Sequence, residues 1–136
     1  MTPDSKLICG IILITVPSIQ YGGYYLLSVL SGKVKTPLTD FQKSMFRAGH
    51  AHAGVLVILS LIAQLLIDNA NLNPALAWVI RMSFPLSAIL VSGGFFAAAA
   101  GQNRARPNRY ISILYFGALL LAASLVILGI ALIKSK

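Results

Sequence analysis

Long apolar runs separated by short polar segments dominate the chain. The four runs cover residues 7–30, 45–67, 74–100 and 110–133. Each is long enough for an α-helix to cross the hydrocarbon core of a bilayer, which takes about 20 residues. Because the connecting segments are short, consecutive helices must run in opposite directions. The pattern therefore predicts an all-α fold, an integral-membrane four-helix antiparallel bundle that forms a single domain over residues 1–136.

Local signals refine the helix boundaries. Thr39 followed by Gln42 matches a capping box, so the second helix is expected to begin near Asp40, ahead of its apolar run. Pro74 marks the start of the third helix. Pro17 lies inside the first run, where we expect it to kink the helix.

Composition supports a membrane protein. Hydrophobic residues make up 57% of the chain and charged residues 10%, with a mean hydropathy of +0.82. Soluble domains carry about 25% charged residues. The first run is expected to be a retained span and not a signal peptide, because it continues to Leu30 without a small-residue cleavage site. With Cys9 as the single cysteine, no disulfide can form within the chain.

The interpretation of the net charge of +8 depends on where the basic residues lie. They cluster at the ends of the apolar runs, as the positive-inside rule describes, so the charge does not indicate nucleic-acid binding. The side that holds the first and third loops carries Lys33, Lys35, Lys43, Arg47, Arg104, Arg106 and Arg109. The other side carries Lys6, Lys134 and Lys136. This asymmetry predicts a multi-pass protein of the plasma membrane with both termini extracytoplasmic.

Glycine, aromatic and imidazole groups recur at one depth in all four runs. Residue counting places them roughly 6–14 Å from the predicted cytoplasmic ends of the helices. The candidate cofactor-binding residues of this layer and its rim are Tyr21, Gly22, Gly23, Tyr25, Arg47, His50, His52, Gly54, Gly93, Gly94 and Tyr115. The outer half shows no comparable group in the sequence.

Two interpretations of this layer remain open. In the first, the glycines allow close helix packing, the tyrosines form an interfacial belt and the histidines form hydrogen bonds between helices. In the second, the glycines leave room for a flat ligand, the aromatic rings pack against it and a histidine binds it. Intramembrane ionisable groups are rare and costly, which favours the second interpretation.

The two histidines are two residues apart, which separates them by about 200° on a helix. They therefore cannot bind one metal ion together or serve as both axial ligands of one haem. His52 is expected to face the interior, on a polar stripe with Ser60 and Gln64. His50 lies on a smoother face with Gly54. Either His50 or His52 remains a candidate ligand of a haem iron.

Haem b is the cofactor that this layer fits best. It needs one axial imidazole, a flat apolar slot and basic residues for its propionates. Arg47, Arg104, Arg106 and Arg109 lie at the required rim, although contact with anionic lipid also explains them. A second axial ligand would come from Tyr21, Tyr24, Tyr25 or Tyr115, or from His50 of the partner subunit, or would be absent.

The segment Arg47-x-x-His50-x-His52, followed by an apolar run, resembles a motif of small membrane proteins related to the haem-copper oxidase catalytic subunit. In that superfamily a histidine on an early span binds haem. The resemblance covers residues 47–54 and implies a haem-binding or electron-transfer role. The chain lacks the later histidines of the full pattern, so an oxidase or reductase centre with copper is not implied.

The sequence leaves three functional classes open and does not settle whether the protein is an enzyme. The first is haem binding for electron transfer or for redox or gas sensing. The second is an oligomeric channel, transporter or lipid-binding protein that depends on the histidines, and the third is a scaffold subunit. The expected partners are the lipid bilayer, further copies of the chain and a redox partner, but no nucleic acid. Arg81 lies roughly 10 Å below the outer surface, and we expect its side chain to snorkel outward to water. The alternative is that it pairs with Asp68.

Overall fold

Four helices form the computed structural model, which describes residues 1–135. They are α1 (Pro3–Leu30), α2 (Asp40–Ile67), α3 (Pro74–Ala98) and α4 (Ile111–Ile133). Each helix is long and apolar enough to cross a membrane. The expected all-α, multi-pass membrane fold is confirmed.

The helix starts follow the capping chemistry of the sequence. The Thr39 hydroxyl accepts a hydrogen bond from the Gln42 amide, and the Gln42 side chain accepts one from the Thr39 amide, both at 3.2 Å. This capping box starts α2 at Asp40, as predicted. Helix α1 begins at Pro3, earlier than its apolar run, because the Thr2 hydroxyl caps the Ser5 amide at 3.2 Å.

Contacts between loops define the two ends of the bundle. At one end, called the terminal end, Thr2 bonds to Asp68 at the end of α2, and the Asn71 amide donates to the hydroxyl of Ser135 at 2.6 Å. At the other end, called the basic end, the Gln42 side chain donates to the Gly101 carbonyl at 2.8 Å. Residues 1–2, the loop 68–73 and Ser135 therefore share one end, and the loops 31–39 and 99–110 share the other.

The four helices are not packed equally. Helix α3 packs against both α2 and α4, whereas α1 packs chiefly against α2. The main core cluster, in the half of the bundle nearer the terminal end, consists of Ala63, Ile67, Ile80, Phe84 and Leu128. Large apolar side chains such as Ile14, Ile58 and Leu119 remain exposed and supply the surface that contacts lipid. The arrangement leaves grooves on two sides of α2, one beside α1 and one toward α4.

Candidate functional site

His52 is an exposed imidazole whose proton position is set by the helix backbone. Its Nδ1 lies 2.8 Å from the carbonyl oxygen of Ala48, one helical turn earlier in α2. A carbonyl oxygen only accepts hydrogen bonds, so Nδ1 of the neutral ring carries the proton and donates it. The lone pair is then left on Nε2. His52 is therefore in the tautomer that offers Nε2 as a ligand.

The ring of His52 borders an apolar groove between α2, α3 and α4, called here the His52 groove. Its volume is about 290 Å³, and the imidazole is its one polar lining side chain within residues 1–135. The ring packs against Phe95 with 4.9 Å between centroids and 34° between planes. Leu56, Val91 and Leu121 form part of the wall. An aromatic ring and a free imidazole nitrogen thus meet beside an apolar slot.

The expectation that His52 faces the interior is wrong. Ser60 and Gln64 are buried, whereas His52 is exposed. Helical rotation explains the difference: Gln64 is about 120° around the helix from His52 but only about 40° from His50. The polar stripe therefore belongs more closely to the His50 face of α2.

His50 is half-buried against α1. A Cβ atom placed on Gly23 would lie 2.7 Å from Nε2 of His50, so the imidazole occupies the space that this glycine leaves open. No hydrogen bond to either of its ring nitrogens is found in the described chain. His50 faces α1 while His52 faces Phe95 of α3, as their spacing predicts. Over residues 1–135 no group of three or more His, Cys, Asp or Glu side chains is assembled.

The glycines of the predicted layer have different surroundings. A Cβ on Gly94 would lie 2.6 Å from the backbone nitrogen of Leu114, and one on Gly117 would lie 2.7 Å from Cβ of Leu90. The expectation that Gly94 leaves room for a flat ligand is therefore wrong, because the backbone of α4 occupies that space. Beside Gly22, Gly54 and Gly93, a Cβ would meet no atom within 4 Å.

The tyrosines and Arg47 lie on exposed faces of their helices. The exposed fractions are 72% for Tyr21, 51% for Tyr25 and 65% for Tyr115. None of these side chains borders the His52 groove. Their positions fit an interfacial aromatic belt more closely than the walls of a cofactor pocket. Within the predicted layer, the structure brings His50 against Gly23.

A buried polar cluster lies at the terminal end, and the sequence indicated only its Arg81–Asp68 pair, as an alternative. Arg81 is 4% exposed, and its guanidinium lies 3.0 Å from an Asp68 carboxylate oxygen and 3.1 Å from the Gln64 side-chain oxygen. It also donates to the hydroxyl of Ser5. The expected outward snorkelling of Arg81 is wrong, and the alternative pairing with Asp68 is found.

Pro85 explains why Gln64 belongs to this cluster. Proline has no amide hydrogen, so it leaves the carbonyl four residues earlier, that of Arg81, without its helical donor. The Gln64 side chain donates to that carbonyl at 3.0 Å. Its oxygen accepts from the Arg81 guanidinium, so one amide satisfies both the backbone and the side chain of the same residue. A proline four residues after an arginine within an apolar run was the signal available in the sequence.

Asp68 links the three helices α1, α2 and α3 at this end. Its carboxylate accepts hydrogen bonds from the Thr2 amide at 2.8 Å and from the Ser5 hydroxyl at 2.6 Å, in addition to Arg81. Desolvation raises the pKa of Asp68, but these hydrogen bonds outweigh it and hold the pKa well below its ordinary value. Asp68 is therefore ionised at neutral pH and fixes the start of α1 to α2 and α3.

Comparisons of the chain with protein-family models, with curated protein sequences and with solved structures find no match. Functional inference therefore depends on the geometry of the chain itself.

Proposed function

We propose that this membrane protein binds haem b through Nε2 of His52 and carries electrons or senses a redox or gas ligand. The observation that carries the proposal is the hydrogen bond from His52 Nδ1 to the Ala48 carbonyl. Histidines that bind metals commonly donate their second ring nitrogen to a backbone carbonyl, which orients the ring and makes the free nitrogen more basic. His52 has this arrangement beside an apolar groove.

The residues around His52 suit part of a porphyrin. Phe95 and the leucines of the His52 groove supply apolar contacts for the macrocycle. The volume of about 290 Å³ is just below the range of small-molecule pockets, about 300–1,000 Å³, so the groove would hold only part of the macrocycle. The remainder of the ring would extend past the exposed edge of α2. Arg104, Arg106 and Arg109 are exposed at the basic end and would be the cations available to the propionates.

A homo-oligomer would complete such a site. Two copies that meet along their His52 faces would enclose the macrocycle and offer two imidazoles to one iron. Bound iron would supply one-electron chemistry, and a second imidazole would favour electron transfer over gas sensing. The exposure of His52 and the open edge of the His52 groove support this arrangement.

The test is the visible spectrum of the protein, purified in detergent from haem-supplemented cells. We expect a Soret band in the parent protein, loss of that band in His52→Ala and its retention in His50→Ala. The second variant is the matched control, since it removes an imidazole of the same helix that faces α1. A colourless parent protein, or an undiminished Soret band in His52→Ala, would refute the proposal.

We further infer that the protein resides in the plasma membrane with its basic end in the cytoplasm. Seven lysine and arginine residues of the predicted cytoplasmic side, against three on the other, support this orientation. A topology reporter fused after Lys136 should then report an extracytoplasmic location, and one inserted after Gln102 a cytoplasmic location. The reverse pair of signals would contradict the inferred orientation.

A further inference from the structure

Helix α1 presents an exposed stripe with the spacing of a helix–helix interface. It is the least buried of the four helices, because it packs chiefly against α2. Five exposed residues, separated in turn by four, three, four and three positions, form what is called here the Gln20 seam: Leu13, Pro17, Gln20, Tyr24 and Leu27. An average spacing of about 3.5 residues is that of the contact positions in a left-handed coiled coil. No helix among residues 1–135 covers this seam.

Gln20 is at the centre of the seam and deep in the membrane. It lies ten residues before Leu30, the last residue of α1, which corresponds to about 15 Å along the helix. In a hydrocarbon core about 30 Å thick, this level is near the middle of the bilayer. The Gln20 side chain is exposed, and it forms no hydrogen bond within residues 1–135. An unpaired carboxamide in hydrocarbon is strongly unfavourable, so this group requires a partner.

The other two glutamines in helices show how such a group is satisfied. Gln64 donates to the Arg81 carbonyl at 3.0 Å and accepts from the Arg81 guanidinium at 3.1 Å. Gln42 donates to the Gly101 carbonyl at 2.8 Å and accepts from a backbone amide at 3.2 Å. Each uses both its donor and its acceptor. Gln20 is the exception, although it is the one that faces lipid.

Pro17 adds a second unmet polar group to the seam. Because proline has no amide hydrogen, the carbonyl four residues earlier, that of Leu13, lacks its helical donor. No side chain of the described residues donates to this carbonyl. On α3 the equivalent carbonyl, four residues before Pro85, receives its hydrogen bond from Gln64. The Gln20 seam therefore offers a donor and acceptors to a polar group on another helix.

We infer that the Gln20 seam is the contact surface for a second copy of this chain, in which the two Gln20 carboxamides form hydrogen bonds with each other. Copies that share one orientation in the membrane have parallel α1 helices. About a two-fold axis along the bilayer normal, each residue of the seam then faces its own equivalent. A carboxamide carries both a donor and an acceptor, so two identical carboxamides can satisfy each other.

A second copy fits this surface better than an unrelated membrane helix. An unrelated helix would have to place a polar group of its own at the depth of Gln20, whereas a second copy provides one by symmetry. A single polar residue among the contact positions of two helices also fixes their register. The inference does not depend on haem, because no residue of α1 lines the His52 groove.

The first test is disulfide crosslinking in the membranes of expressing cells, in a Cys9→Ser background that leaves one thiol per chain. Leu13→Cys and Tyr24→Cys, both in the seam, should form disulfides between two copies. Ile14→Cys and Tyr25→Cys are the matched controls, since they are exposed at nearly the same depth but point about 100° away. They should crosslink several-fold less. His52→Ala should leave the seam crosslinks unchanged, which separates this contact from the proposed haem site.

The second test measures association by Förster transfer between donor- and acceptor-labelled chains in liposomes of varied lipid content. Gln20→Leu should weaken association about tenfold, the effect of losing hydrogen bonds between membrane helices. Gln20→Asn keeps the carboxamide and should retain most of the affinity. Ser18→Ala removes an exposed hydroxyl from another face of α1, where it donates to the Thr15 carbonyl, and should leave association unchanged.

Three results would overturn the inference. The first is equal crosslinking of the seam cysteines and their matched controls. The second is equal association of Gln20→Leu and the parent protein while circular dichroism shows both to be helical. The third is crosslinking of the seam cysteines to a different protein and not to a second copy of the chain.

Discussion

Asp68→Ala should lower the free energy of unfolding by about 3–5 kcal/mol, as for other buried ion pairs broken by removal of one partner. The reason is that Arg81, which is 4% exposed, would keep its charge without its carboxylate partner. The start of α1 would also lose its hydrogen bonds from Thr2 and Ser5 to Asp68. Reversible unfolding in mixed detergent and sodium dodecyl sulfate, followed by tryptophan fluorescence, measures the change.

Two further variants distinguish the contribution of the ion pair to stability from a general effect of removing a charge. Asp4→Ala removes an exposed carboxylate of the same end, in the first turn of α1, and should change the free energy of unfolding by less than about 0.5 kcal/mol. The double variant Arg81→Met with Asp68→Leu removes both charges and should recover much of the loss. If Asp68→Ala matched Asp4→Ala, the cluster would have no stabilising role.

The same carboxylate gives stability a defined pH dependence. The pKa of Asp68 is lowered by folding, so its contribution is complete above the ordinary value of 3.8. The contribution is lost as the pH falls below that value and through the lower pKa of the folded state. Below about pH 4 the parent protein should therefore lose stability more steeply than Asp68→Asn does.

The existence of the four helices and the start of α2 could be predicted because they depend on neighbouring residues. The capping box of Thr39 and Gln42 and the apolar runs are local signals, and the structure follows them. The rotation of each helix about its axis, and so the face that it buries, could not be predicted in the same way. Helix α4 is almost uniformly apolar, and α2 carries apolar residues on all sides of its second half, so periodicity did not indicate which face is buried.

Polar contacts between residues far apart in the sequence could not be predicted either. Ser5 and Arg81 are 76 positions apart, and no spacing rule connects them. The expectation of snorkelling treated Arg81 as an isolated charge, for which reaching water is the best outcome. Three helices meet at the terminal end and offer it a carboxylate, an amide and a hydroxyl instead. The pairing is favourable only in the assembled fold, which is why the sequence pattern could not settle it.

The i,i+2 spacing of the histidines places one imidazole on each side of α2. His52 borders the groove toward α4, whereas His50 packs against Gly23 of α1 and lines neither groove. His52 therefore belongs to the candidate haem site, and His50 provides its control on the same helix.

Gly94→Ala and Gly93→Ala should have opposite effects on stability. A Cβ on Gly94 would lie 2.6 Å from the backbone nitrogen of Leu114, so α3 and α4 must move apart. Such overpacking costs about 1–3 kcal/mol. Beside Gly93 a Cβ meets no atom within 4 Å, and alanine there should stabilise the helix by up to about 1 kcal/mol through its higher helix propensity. Unfolding in sodium dodecyl sulfate measures the change in the free energy of unfolding for both variants.

The comparison decides between the two interpretations of the glycine layer, because the two glycines are adjacent and differ only in the direction of the missing side chain. If Gly94 served to leave space for a ligand, alanine would be tolerated in the ligand-free protein, and both substitutions would shift stability in the same direction. Close contact between α3 and α4 requires instead that Gly94→Ala destabilise the protein without any ligand present. Gly117→Ala should behave like Gly94→Ala, since its Cβ would lie 2.7 Å from Cβ of Leu90 on the facing helix.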